Sequence, residues 1–275
     1  MDSIQDLFGV RRALIGMLHV GALPGTPSAA REVGAIANRV VAEARIYEEA
    51  GFHGLLVENM HDRPYTKAPA GPEIVAAMTR VATDVRRSVR LPLGVQILAA
   101  ANREALAVAL ACEGAFVRVE GFVYAHVADE GVIDGCAGDL LRYRRAIGAR
   151  TIRVFADVKK KHAAHALTAD VDIAATARAA EFFQADGVIV TGQTTGEAAD
   201  PQEVEVVSRA VGIPVLVGSG LTPDTVNRYA GARGFIVGSA LKRHGLWWEE
   251  VDRDRVARMA EAFARSEPAR TPPDA

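Results

Sequence analysis

The stretch PVLVGSGLTPDTV, residues 214–226, is an apolar run that stops at Gly218-Ser219-Gly220 and passes at once into Thr222-Pro223. Thr before Pro suits the cap and first position of a short helix. A second unit of the same design, GFIVGSALK at 234–242, follows near the end of the chain. Where such glycine turns fall along a chain separates two folds. A doubly wound sheet carries its glycine-rich turn after an early strand, whereas a (β/α)₈ barrel places a phosphate-type turn after its last two strands.

Working back from these two units, six more β-branched or aliphatic runs precede them: 13–19, 54–59, 91–98, 115–120, 151–157 and 186–191. Each run, like those at 214–219 and 234–239, is followed by a segment read as helical, with apolar residues three and four apart. The early turn LHVGALPG lacks the G-x-G-x-x-G spacing. Eight strand–helix units in this order predict an α/β protein with one domain, a (β/α)₈ TIM barrel. The expected boundaries are a lead-in at 1–12, the barrel at 13–266 and a disordered Pro-rich tail at 267–275. The long connections after the second and fourth strands, MHDRPYTKAPAGP and GFVYAHVADEGVIDGCAG, are expected to cover a ligand at the barrel mouth.

Composition narrows the partners. With 32 basic and 34 acidic residues in 275, the net charge of -2 offers no electrostatic case for nucleic acid. No run approaches the roughly 18 apolar residues of a membrane span, and two cysteines, Cys112 and Cys136, suggest neither a disulfide framework nor a metal site. The expectation is a cytoplasmic protein without membrane span, forming a homo-oligomer as barrels of this kind commonly do.

Strand ends converge at one mouth, so the polar residues there form a ring: His19, Glu58, Asn59, Gln96, Arg118, Glu120, Asp157 and Thr191. The run Lys159-Lys160-Lys161-His162 follows the fifth strand, with Lys159 and Lys160 read as solvated neighbours and Lys161 as Schiff-base former, proton carrier or counter-ion. Alternation puts Arg118 with Glu120 and Arg153 with Asp157. Glu58, Glu120 and Asp157 would repel unless they held a divalent metal ion, paired with Arg118 or Lys161, or shared a proton. His19 serves either as a proton carrier or as a hydrogen-bonded structural group. Thr191, Thr194 and Thr195 supply hydroxyls for a sugar or phosphate. Gly218, Ser219, Gly220, Gly238 and Ser239 are the expected phosphate cradle, aided by the dipole of a helix opening at Thr222.

The motifs GMLHVGALPGTP, GLLVENMHDRPY, RYRRAIGARTIRVFADVKKKHA, VIVTGQTTGEAADP and VLVGSGLTPDTV, together with the segment from IVGSALKRHG to VDRDRVARM, resemble the BtpA/SgcQ family from about Ile15 to Met259. The resemblance implies a (β/α)₈ barrel with a phosphate-type site. It carries over His19, Glu58, Asn59, Asp157, Lys161, His162, Thr191, Gly192, Thr195, Gly196, Gly218, Ser219, Gly220, Gly238 and Ser239. One cyanobacterial branch of the family is associated with photosystem I biogenesis, and many bacterial members lie near sugar or nucleoside metabolism genes. The sequence departs from the family pattern at Glu120, where an amide is expected, and at Ala128-Asp129-Glu130, where Thr-Asp-Gln is expected. Members are sometimes labelled phosphoribosylanthranilate isomerase, but that reaction needs an acid and a base where this chain has His19 and Thr191. The reading that follows is an enzyme of lyase or isomerase type for a phosphorylated sugar or nucleoside-like substrate, with Glu58, Asp157, Lys161, His162, His19 and Glu120 as catalytic candidates. Asn59, Gln96, Arg118, Thr191, Thr194 and Thr195 are the substrate-binding candidates. The alternative is a non-catalytic biogenesis factor.

Overall fold

The computed structural model describes residues 3–160, 162–192 and 196–266. The tail at 267–275, Lys161, Gln193, Thr194 and Thr195 lie outside the described residues.

In chain order the strands are β1 (Ala13–His19), β2 (Gly54–Glu58), β3 (Leu93–Gln96), β4 (Phe116–Val119), β5 (His126–Ala128), β6 (Gly131–Ile133), β7 (Arg153–Val158), β8 (Ala163–Ala164), β9 (Gly187–Val190), β10 (Val215–Val217) and β11 (Gly234–Val237). Eight of them close a parallel barrel in the order β1-β2-β3-β4-β7-β9-β10-β11, with β11 pairing back onto β1. The helices are α1 (Ser3–Phe8), α2 (Val33–Glu49), α3 (Pro72–Ser88), α4 (Asn102–Ala111), α5 (Ala137–Ala146), α6 (Ile173–Phe182), α7 (Pro201–Ala210) and α8 (Arg253–Ser266).

Alternation along each strand sorts its residues between two apolar clusters. Leu14, Leu18, Leu55, Val57, Val117 and Val154 pack outward under the helices. Ile15, Met17, Leu56, Phe116, Phe155, Ile189, Leu216 and Ile236 fill the barrel interior. Large and small residues alternate there: a Cβ on Gly94 would stand 2.2 Å from the Phe116 ring, and one on Gly187 would stand 2.8 Å from the Phe155 ring. The lead-in is not merely a connection. Helix α1 joins Ile4, Leu7 and Phe8 to the interior cluster, with Phe8 edge-to-face on Phe116 at 5.7 Å.

Two features differ from expectation. The segment after β10 holds only a 3₁₀ turn, Val226–Arg228, instead of an α-helix. Its buried anchors are Val226 and Tyr229, three residues apart, so one turn suffices to cover the strands. Thr222 caps no α-helix, and its hydroxyl lies 3.1 Å from that of Thr225. The expected helix dipole at this position is therefore absent among the described residues, since three residues align too few peptide units. Second, the long connection after β4 is structured. Its β5–β6 hairpin joins β8 in an antiparallel three-stranded sheet.

Candidate functional site

The layer of inward positions above Met17, Leu56, Phe116, Phe155 and Ile189 is polar. One step of two residues along each strand reaches His19, Glu58, Gln96, Arg118, Asp157 and Thr191, while β10 and β11 continue to Gly218 and Gly238. His19, Glu58 and Gln96 stand level across β1, β2 and β3. The ring is thus polar on six strands and bare of side chains on two adjacent ones.

That gap forms a cavity of about 380 Å³ lined by His19, Glu58 and Arg118 on one side and by Gly218, Ser219, Gly220, Gly238 and Ser239 on the other. A Cβ on Gly238 would lie 3.2 Å from His19 Nε2, and one on Gly218 would lie 3.5 Å from Arg118 Nη2. Gly220 has φ +60, and a Cβ there would fall 2.2 Å from the backbone nitrogen of Ala198, so only glycine turns the chain at this point. Arg255 and Arg258, on the first turns of α8, complete the cavity wall. Sequence reading missed both, although VDRDRVARM spaces them three apart on one helical face.

His19 is held in one tautomer. Its Nδ1 donates to the Trp247 carbonyl at 3.0 Å, which directs Nε2 toward Glu58 Oε2 at 3.9 Å. Arg118 grips Asp157 with Nε at 3.0 Å from Oδ1 and Nη2 at 3.2 Å from Oδ2, both residues being buried. Burial works against the Arg118 charge, but Asp157, then Glu58 and Glu120, outweigh it and hold the guanidinium above its ordinary value. Arg153 shares the inward face of β7 but pairs with Asp186 at the opposite end.

Lys160 corrects an expectation. It is buried, not solvated, and its Nζ lies 3.6 Å from Glu120 Oε2 and 3.8 Å from Glu130 Oε2. Lys159 is half-buried as well and donates to the Thr168 carbonyl at 3.1 Å. Three consecutive lysines give no parity by which sequence could tell which one turns inward. Glu120 and Glu130 therefore converge on one ammonium. Burial, with Asp157 adding to it, raises the Glu120 carboxyl above its usual range despite Lys160, Arg118 and the Ala100 N–H.

Asn59 is occupied internally: its amide binds Asp62 Oδ2 at 2.9 Å and its carbonyl takes the Leu98 N–H at 2.7 Å. It shapes the loop wall instead of facing the cavity. Gln96 Oε1 and Thr191 Oγ1 are buried in the ring without a hydrogen-bond partner among the described residues, the state of groups awaiting a ligand or water. His162 is exposed on the loop beyond β7 and is not among the residues lining the cavity. Among the described residues no three His, Cys, Asp or Glu side chains converge as metal ligands, because Asp157 is taken by Arg118 and Glu120 by Lys160.

Two histidines also missed from sequence, the buried His126 and the half-buried His61, are held near pKa 4. Burial lowers His126 to about 4, with Lys160 and His165 adding to it; burial lowers His61 to about 4, with Lys242, Arg39 and Arg63 adding. Folding keeps both neutral while the unfolded chain takes up protons near 6.5, so their stability is full above pH 6.5 and is lost as pH falls toward 4. Urea midpoints are expected to fall across that window, and His126→Asn to remove about 1 kcal/mol of the fall after solvent screening. A midpoint flat from pH 7 to 4 would contradict this.

Comparison with known proteins shows the family and the fold. A family model described as the BtpA family matches residues 10–265. An uncharacterized mitochondrial protein of Caenorhabditis elegans is 50% identical over 93% of this chain and 95% of its own. The photosystem I biogenesis protein BtpA of a Synechocystis strain is 35% identical, over 96% of this chain and 92% of its own. Among solved structures, orotidine 5'-monophosphate decarboxylase of Methanocaldococcus jannaschii superposes with a TM-score of 0.60 at 11% identity, over 92% of this chain and 99% of that one. (S)-3-O-geranylgeranylglyceryl phosphate synthase of Thermoplasma acidophilum, solved with sn-glycerol-1-phosphate, gives 0.59 at 14% identity, over 96% and 99%. At these identities the solved structures share the TIM-barrel fold with this chain and nothing finer. The family match, by contrast, spans nearly the whole barrel and includes both glycine turns and the polar ring: the chain belongs to the BtpA family.

Proposed function

We propose that the protein is an enzyme acting on a phosphorylated small molecule of sugar or nucleoside type, by proton transfer of the lyase or isomerase class. The observation that carries the reading is the division of the ring: His19, Glu58 and Arg118 face two adjacent glycines across one cavity, so backbone N–H groups meet a ligand at one end and titratable groups at the other. Arg255 and Arg258 supply positive charge at the glycine end, where the 3₁₀ turn provides none. Both solved structures named above carry phosphorylated compounds in their descriptions, which fits this use of the fold.

In this reading the phosphate rests against Gly218–Gly220 and Gly238–Ser239. His19 Nε2, oriented by the Trp247 carbonyl and set beside Glu58, moves the proton. Arg118, fixed by Asp157, stabilises negative charge that develops on the substrate. Gln96 and Thr191 hydrogen-bond its hydroxyls. Lys160 is engaged by two carboxylates and is absent from the described wall of this cavity, so acid–base transfer is favoured over an imine at that lysine.

Titration calorimetry with inorganic phosphate tests the anion end. Gly218→Ala and Arg258→Ala are each expected to weaken binding about tenfold, or about 1.4 kcal/mol. Phosphate affinity unchanged in both variants would remove the reading.

A second reading, a non-catalytic assembly factor, is favoured by Phe182 and Phe183 at the end of α6. They are 81% and 45% exposed and pack edge-to-face at 5.7 Å, an apolar surface of the kind partners cover. The Synechocystis relative's name points the same way. Under this reading the double variant His19→Gln, Glu58→Gln keeps its biological role; under the enzymatic one it loses it.

A further inference from the structure

A second cavity, of about 230 Å³, opens beside the first and shares His19 with it as a wall. Arg31, Arg39, Arg63 and His61 line it together with Ser28, and no carboxylate stands among its lining residues. The balance of charge around it is one-sided. Arg39 Nε approaches Glu43 Oε1 at 3.5 Å, but the same carboxylate also holds the buried Lys242 Nζ at 2.8 Å, so one anion serves two cations. Neither Arg31 nor Arg63 has an ion-pair partner among the described residues. Arg63 is stacked on the Trp247 ring at 4.7 Å, which pins its guanidinium at the cavity edge. His61 packs on the same ring at 5.0 Å, and its pKa is lowered first by burial and then by the charges of Lys242, Arg39 and Arg63. Trp247 therefore positions Arg63 and His61 with its ring and His19 with its carbonyl.

Like charges gathered at one cavity repel unless an anion joins them, and the guanidinium fork matches a phosphate or carboxylate in geometry as well as charge. We infer that this cavity is a second oxyanion site, joined to the first at His19, so that the group transformed at His19 lies between two anionic groups. Those groups are either the two ends of one substrate or a phosphorylated substrate and a separate inorganic anion. The inference rests on the reading of the Gly218–Gly220 end as a phosphate site.

Crystals of the full chain soaked in tungstate test it by anomalous scattering, alongside calorimetry with inorganic phosphate. The wild type is expected to hold tungstate at both places and to bind two phosphates. The double variant Arg31→Ala, Arg63→Ala is expected to keep the anion at Gly218–Gly220, which also shows that it folds, and to lose the other. Tungstate at the glycine end alone in the wild type, or at both places in the double variant, overturns the inference and leaves the first site standing. Tungstate in the second cavity alone upholds the second site and overturns the reading of the first. A series of alkanediol bisphosphates separates the two sources of the anion. One spacing that binds at least 100-fold tighter than phosphate, and loses that gain in the double variant, upholds the site as the far end of a two-ended ligand. Bisphosphates no tighter than phosphate, with the two-to-one change in stoichiometry intact, uphold it as a site for a separate anion.

Discussion

Arg118→Met is expected to lower the free energy of unfolding by about 3–5 kcal/mol at neutral pH, because it leaves the Asp157 carboxylate buried without its cation. Met keeps most of the stem that fills the space above Phe116, so the loss reports the charge and not a void. The guanidinium meets Asp157 through Nε and Nη2, and Glu58 and Glu120 add to the negative field that it neutralises. Removing it sets three carboxylates at one mouth with Lys160 as the nearest remaining cation to Glu120. Urea unfolding of wild type and variant at pH 7 checks this. The variant Arg118→Met, Asp157→Asn is expected to recover at least half of the deficit, since no lone charge remains. A single-variant loss below about 1 kcal/mol would mean that water reaches the pair and that Arg118 is not the electrostatic centre of the ring.

His19→Gln is expected to reduce turnover by about 10²–10⁴-fold, the range for loss of a general acid or base, with little change in KM for the phosphorylated substrate. Gln retains a donor for the Trp247 carbonyl and a similar volume against Gly238, so the cavity keeps its shape. It removes only the group that exchanges a proton within reach of Glu58. Steady-state kinetics of wild type and variant make the distinction. A variant that loses affinity but keeps turnover would turn His19 into a binding group and leave proton transfer to Glu58.

The barrel was readable from sequence because its two periodicities are local. Strand runs alternate inward and outward residues, and the spacing of Gly218 and Gly238 put the bare positions on the last two strands. The same alternation named His19, Glu58, Gln96, Arg118, Asp157 and Thr191, all of which reach the ring. Where alternation stops, sequence reading failed. Lys160 lies just past β7 in a loop where Lys159 has φ +52, so its inward turn follows from no period. Thr222-Pro223 carries a good local cap signal, yet the chain needs only one 3₁₀ turn before β11, and the demand of packing overrode the cap. Arg31, Arg63 and Trp247 come from connections far apart in the chain, and their meeting at His19 depends on how three loops fold over one mouth.

By itself, then, the sequence determined the class of fold, the strand order and which end of each strand bears polar groups, since these depend on patterns only a few residues long. The tertiary structure alone decided which charges meet. Asp157 took Arg118, Glu120 and Glu130 took Lys160, and Arg31, Arg39 and Arg63 were left to share too little negative charge. Coulomb energies act through space, where residues 39 or 199 positions apart in the chain become neighbours, and a one-dimensional string does not contain those distances.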